Sequence, residues 1–132
     1  MDLFGQTTLP ALGRTLAFTE KRHEVLAGNL ANLDTPGYRV RDLDVDGFQQ
    51  TLADSIRRGE PAAAMTGEPR TRDDARLGPR STDEAIIYHD GSDVSMERQV
   101  TEVAKNQHLH SLAVTTMRSQ FELLRSAITE RA

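Results

Sequence analysis

The chain has 132 residues and a formal net charge of −4, with a pI near 5.5, a length that fits one domain with a modest core. Its hydrophobic share is 37%, its aromatic share 5% with no Trp, and its charged share 27%, so there is little material for a thick core. The acidic balance excludes a general nucleic-acid binder, which needs a basic face to displace counterions. The absence of cysteine excludes disulfides, thiolate metal sites and Cys nucleophiles.

The opening "MDLFGQTTLPALGR" has neither a basic n-region nor an unbroken apolar h-region, so it does not read as a Sec signal peptide. No apolar run approaches membrane-spanning length. Residues 1–8 read as a flexible N-terminus. From residue 9 the apolar side chains fall on a seam with steps of three and four: Leu9, Leu12, Leu16, Leu26, Leu30 and Leu33. Thr19 and His23 are its two polar positions. The spacing predicts a heptad-like helix over 9–33, about 25 residues and ~37 Å long. Thr8 and Pro10 suit its first turn, where a hydroxyl cap helps and a missing N–H does no harm.

The helix runs into "NLANLDTPGYR". Asn29 and Asn32 are poor helix formers whose side chains bond to local backbone. Thr35 precedes Pro36 and is pushed to an extended conformation, so the helix must stop. Pro36-Gly37 fits the centre of a type II turn, and Tyr38 offers a ring that can pack back on the helix end. An ordinary helix stop needs only a Gly or Pro. This one uses nearly every residue.

Residues 34–91 then read as a turn, a short helix and a polar segment. "DLDVDG" places Asp42, Asp44 and Asp46 at positions one, three and five of a calcium-type loop. Position twelve is Ala53, where a bidentate Glu is required. The simpler reading is an acidic turn at a helix N-terminus, where negative charge is favoured. Phe48, Leu52 and Ile56 make "GFQQTLADSIRR" an amphipathic helix. The next stretch, "GEPAAAMTGEPRTRDDARLGPRSTDE", holds three prolines, three glycines and ten charged residues. It cannot bury enough surface to offset chain entropy and is expected to be flexible in the free monomer. Ala85 to Tyr88 reads as a short strand and Asp90-Gly91 as a turn.

A second seam runs Met96, Val100, Val103, Gln107, His110, Val114, Met117, Phe121, Leu124, Ile128. No Pro or Gly interrupts residues 92–132, so these form a C-terminal core helix of about 35 residues, ~52 Å long. Ser92, Asp93 and Ser95 are its candidate caps. The fold class is therefore mainly α: long N- and C-terminal helices paired as an antiparallel coiled coil, with a short helix and a largely irregular polar middle. With the helix centres aligned, His23 falls opposite His110 and near Gln107. That would make a polar layer that fixes register and that acid should loosen. The second helix outreaches the first, and Leu109, Leu112 and Leu123 lie off its seam. Such apolar surface needs another molecule.

No G-x-S-x-G, P-loop or G-x-G-x-x-G occurs, His108 and His110 are too close on a helix to share a metal, and the carboxylates are spread along polar faces. The chain reads as no enzyme, with no cofactor, metal or small-molecule substrate.

Asn29, Leu30, Ala31, Asn32, Thr35, Pro36, Gly37, Tyr38 and Arg39 closely resemble the N-terminal signature of the bacterial flagellar axial proteins, the rod and hook family. The C-terminal helix is also similar to that family's, and the size and layout resemble a short proximal rod protein. The likeness covers about residues 9 to 58 and 85 to 130. It departs from the pattern at Ser92 and Asp93, where Asn is usual, and at His110, where Tyr is usual. The resemblance implies a structural subunit of the flagellar basal body, exported without a cleaved signal peptide to the periplasmic rod. Its implied neighbours are other rod subunits, the adaptor FliE, and the export gate in the basal ring. It also implies self-association in a helical array through the terminal helices. Two alternatives stand beside it: another short rod protein, and a soluble coiled-coil adaptor without a flagellar role. The adaptor leaves the elaborate turn unexplained.

Overall fold

A computed structural model describes residues 8–58, 80–81 and 96–130 of the chain. The element order is α1 (Leu9–Ala31), β1 (Arg41–Asp42), α2 (Val45–Arg58), β2 (Arg80–Ser81) and α3 (Met96–Thr129). The expectations for residues 1–7, 59–79 and 82–95, including the strand at Ala85, the Asp90-Gly91 turn and the caps at Ser92, Asp93 and Ser95, lie outside the described residues.

α1 starts with Pro10 in its first turn, as its fixed φ favours. Thr8 makes no side-chain cap bond; only its carbonyl is used, by the Leu12 amide at 3.0 Å. At the other end Asn32 is the C-cap, and its side-chain amide donates to the Gly28 carbonyl at 2.9 Å. The Gly28 carbonyl thus accepts twice, since the Asn32 main-chain amide also donates to it at 3.2 Å. α2 is capped by Asp44, whose carboxylate accepts the Gly47 amide at 2.8 Å and whose carbonyl accepts the Phe48 amide at 3.0 Å. That is the capping arrangement an acidic helix start favours.

α1 and α3 pack along each other antiparallel. Contacts run from Asn29 with Gln99, through Arg22 with Glu102, to Thr19 with Asn106 and His110. The mainly helical fold with paired terminal helices is as the sequence implies; the details of the contact differ. On α3 the fully buried positions are Gln99, Asn106 and Ala113. Each lies one residue before the expected Val100, Gln107 and Val114. On α1, Thr19 and Leu26 are buried as the seam predicts, but so are Arg22 and Asn29, each one residue before His23 and Leu30. The reason is a second neighbour. Phe18 of α1 stacks on Phe48 of α2, ring centroids 4.0 Å apart and planes within 7°. Leu43 completes that small core, with Val25, Val45 and Leu52 against it. α1 must turn one stripe to α3 and another to α2, so a two-helix seam cannot describe it.

The histidine layer is corrected by the same rotation. His23 is exposed and does not face His110. His110 instead meets the Thr19 hydroxyl at 2.9 Å through Nδ1. That hydroxyl donates its one hydrogen to the Leu16 carbonyl, also at 2.9 Å, so His110 Nδ1–H is the donor. Asn106 donates to the Thr19 carbonyl at 2.8 Å, while its own Oδ1 is buried without a hydrogen-bond partner. The polar layer at mid-helix is thus Thr19, Asn106 and His110.

β1 and β2 form a two-stranded antiparallel pair with Arg41 opposite Ser81 and Asp42 opposite Arg80. Neither strand was expected, and β2 falls inside the segment read as flexible. Among the described residues no helix is long and apolar enough to cross a membrane.

Candidate assembly site

The turn after α1 is built around one side chain. Asn29 is fully buried, and its amide uses all four of its hydrogen-bonding positions. Nδ2 donates to the Arg41 carbonyl at 2.6 Å and to Gln99 Oε1 at 3.2 Å. Oδ1 accepts the Arg41 amide at 3.1 Å and the Tyr38 hydroxyl at 3.2 Å. The amide therefore pairs with both main-chain groups of Arg41 as a neighbouring strand would, on a residue of β1 that lies opposite Ser81 of β2.

The loop between them is fixed by short local bonds. The Thr35 amide donates to the Asn32 carbonyl at 3.0 Å, and the Tyr38 amide to the Thr35 carbonyl at 3.1 Å. Pro36 and Gly37 are the two central residues of that second turn. Gly37 has φ +76°, the left-handed value a type II turn demands at its third position. Tyr38 reaches back to the helix through its hydroxyl. Leu30, Ala31, Pro36, Gly37 and Arg39 are exposed, and Leu33 is half-buried.

A second set of bonds lies about two helical turns earlier on α1. Arg22 is buried and makes a two-pronged contact with Asp42, Nε to Oδ1 at 2.8 Å and Nη2 to Oδ2 at 2.6 Å. The same Nη2 reaches Glu102 Oε2 at 2.8 Å, and Lys105 reaches Glu102 Oε1 at 2.8 Å. The Asp42 bond pushes the Arg22 guanidinium above its already high ordinary value, with burial opposing. Burial pushes the Glu102 carboxyl up, but the bonds from Lys105 and Arg22 outweigh it and hold it below its ordinary 4.5. Asp42 and Asp44, the first two carboxylates of the calcium-like stretch, are thus committed to Arg22 and to the α2 cap. Nothing in the sequence flagged Arg22, Asp42, Gln99, Glu102 or Asn106 as a set, because their pairing depends on the interhelical register.

The remaining seam residues divide along the helices. Leu9 and Leu26 are buried; Leu12, Leu16, Val103, Val114, Met117 and Leu124 are half-buried. Val100, Phe121 and Ile128 are exposed. Leu16, Val114, Met117 and Phe121 line an open groove of about 400 Å³ edged by Arg118, Glu122 and Arg125. Beyond it α3 carries Leu123 at 63% and Ile128 at 70% exposure. Leu112 is exposed too, whereas Leu109 is half-buried.

The family model for the flagella basal body rod protein matches residues 11–39, the stretch from α1 through the turn. The chain is 31% identical over 113 residues to the flagellar basal body rod protein FlgB of Escherichia coli, covering 77% of this chain and 78% of that protein. It is 30% identical over 134 residues to the Aquifex aeolicus FlgB, covering 100% and 99%, and 26% identical over 133 residues to that of Bacillus subtilis, covering 98% of each. The likeness thus extends beyond the turn to both terminal helices, and the chain belongs to the FlgB family of flagellar basal body rod proteins.

Proposed function

We propose that this chain is a structural subunit of the proximal rod and assembles helically through α1 and α3. The observation that carries the reading is the distribution of apolar side chains on α3. Val100, Leu112, Phe121, Leu123 and Ile128 are exposed on a helix whose buried residues are Gln99, Asn106 and Ala113. Surface of that kind supports burial against neighbouring subunits. A head-to-tail contact that does not close on itself gives an open helical array.

In this reading the turn over 29–39 is the assembly motif, the joint at which the chain leaves the packed terminal helices. The seam residues that the single chain leaves exposed or half-buried, among Leu12 through Leu33 on α1 and Val100 through Ile128 on α3, complete their burial in the array. The neighbours are other rod subunits, the adaptor FliE and the export gate in the basal ring. The subunit reaches the periplasmic rod through the flagellar export route, without a cleaved signal peptide, and works by packing and not by catalysis.

Mass spectrometry of detergent-purified hook–basal bodies from the source organism tests this directly. The chain is expected to co-enrich with rod and ring proteins. Its absence from otherwise complete basal bodies would defeat the rod reading.

A further inference from the structure

The two sets of buried polar bonds share a geometry. Each begins on α1, and each ends on both β1 and α3. Asn29 joins Arg41 of β1 to Gln99 of α3. Arg22 joins Asp42 of β1 to Glu102 of α3. Residues 41 and 42 are adjacent, and 99 and 102 are one turn apart, so the two bridges lie side by side. Asn29 and Arg22 are both buried.

From this geometry we infer that helix pairing and ordering of the turn are one coupled event, with Asn29 and Arg22 as the positioning residues. If α3 leaves, Asn29 loses one of its two amide donations and Arg22 loses one of its two carboxylates. If residues 38–43 leave, Asn29 keeps only its Gln99 bond and Arg22 only Glu102. Each docking step adds bonds to side chains that the other step also shields from water, so each is less favourable alone than with the other in place. Residues 38–43 are therefore held more firmly in their docked position when Gln99 and Glu102, more than fifty positions later in the chain, are in place. A subunit whose terminal helices are unpaired keeps the local bonds of the Pro36-Gly37 turn but holds residues 38–43 less firmly against α1. On the assembly reading, that makes the turn's shape a report of correct pairing.

The test is hydrogen–deuterium exchange on the isolated full chain, which does not depend on the flagellar reading. The Arg41 amide reports the first bridge, since it donates to Asn29 Oδ1, and the Leu43 amide reports the second, since it donates to Asp42 Oδ1 at 2.7 Å. In a Gln99→Met, Glu102→Met variant both amides are expected to exchange at least about tenfold faster, with α2 little changed. Unchanged exchange at these two amides would overturn the inference. Coupling is reciprocal, so the opposite perturbation must also register. Tyr38→Phe leaves α3 untouched and is expected to speed exchange of the α3 amides over 100–103 about fivefold. This second arm decides the matter if the double variant loosens the whole chain. Unaltered protection of those α3 amides in Tyr38→Phe would show that the turn and the helix pair are independent.

Discussion

Replacing Asn29 by Asp isolates the amide at the centre of the turn with almost no change in volume. Two contacts survive, because a carboxylate oxygen still accepts the Arg41 amide and the Tyr38 hydroxyl. Two do not. An oxygen would stand where Nδ2 now lies, 2.6 Å from the Arg41 carbonyl and 3.2 Å from Gln99 Oε1. A buried acceptor left without its donor costs about 1–3 kcal/mol, so the pair costs about 2–6 kcal/mol at neutral pH. That is a large share of the roughly 5–15 kcal/mol that holds a domain folded. The cost has a pH signature. The new carboxyl, buried among acceptors, is favoured in its protonated form, whose O–H can replace one lost donor. Its folded pKa is therefore raised above the unfolded one. A group that holds its proton more tightly when folded loses stability as pH rises between the two values. The deficit against the parent chain should be larger at pH 7.5 than at pH 4.5. Urea unfolding followed by helical circular dichroism reads both. With a slope of about 1–3 kcal/mol/M, a midpoint lowered by ~1–3 M is expected at the higher pH. An equal deficit at both pH values, or one below about 1 kcal/mol at pH 7.5, would refute the four-bond account.

Gly37→Val forces a β-branched residue to φ +76° and should cost about 1–3 kcal/mol, more than Pro36→Ala, which only frees the unfolded chain by ~1 kcal/mol or less. Both variants are expected to be secreted and to impair rod assembly; normal swimming in both would count against the turn as an assembly motif. At Gly47 an added Cβ would meet the Asp44 carboxylate at 2.6 Å and displace the α2 cap. Gly47→Ala should therefore fail to give the usual ~0.5–1 kcal/mol helix gain in the parent and give it in an Asp44→Ala background, a double-mutant cycle read by thermal melting. The depressed Glu102 carboxyl contributes stability that is present above its ordinary 4.5 and is lost as pH falls through its lower folded value. A Glu102→Gln chain should show a flatter acid limb in urea midpoints below pH 4.5, and parallel limbs would exclude Glu102 as a source of the acid sensitivity.

Local chemistry makes some of this legible in the sequence. The turn at Pro36-Gly37 follows from residue identity alone, because Pro fixes one dihedral and Gly permits the other. The three helices follow from spacing and from the absence of breakers. What the sequence hides is rotation about the helix axes. Leucines at Leu12, Leu16 and Leu30 suggest a stripe facing one partner, yet Phe18 and Val25 must meet α2, and this turns Arg22 and Asn29 inward. Asn29 stood out as a residue of the motif, but its partners at Arg41 and Gln99 lie 12 and 70 positions away. The strand Arg80–Ser81 was illegible for a related reason: a two-residue strand has no period to read, and its partner Arg41–Asp42 is just as short.

The division of labour on α3 follows from what each kind of contact can specify. Apolar contact is non-directional, and a leucine seam tolerates sliding and rotation. Hydrogen bonds and ion pairs do not, since a half-satisfied buried amide costs more than the bond contributes when made. A monomer that pairs its helices through Gln99, Glu102 and Asn106 therefore fixes register and rotation with groups that penalise every other arrangement. The same choice leaves Val100, Phe121, Leu123 and Ile128 outside the pair. Had Val100, Phe121 and Ile128 formed the helix contact, as the heptads suggest, the free monomer would be more stable and would keep less to gain from its neighbours. At ~25 cal/mol per Å² of apolar surface, a few such side chains on each subunit supply several kcal/mol when buried. On the proposed assembly, polar contacts set the shape of the subunit, while the apolar residues they leave exposed drive its association.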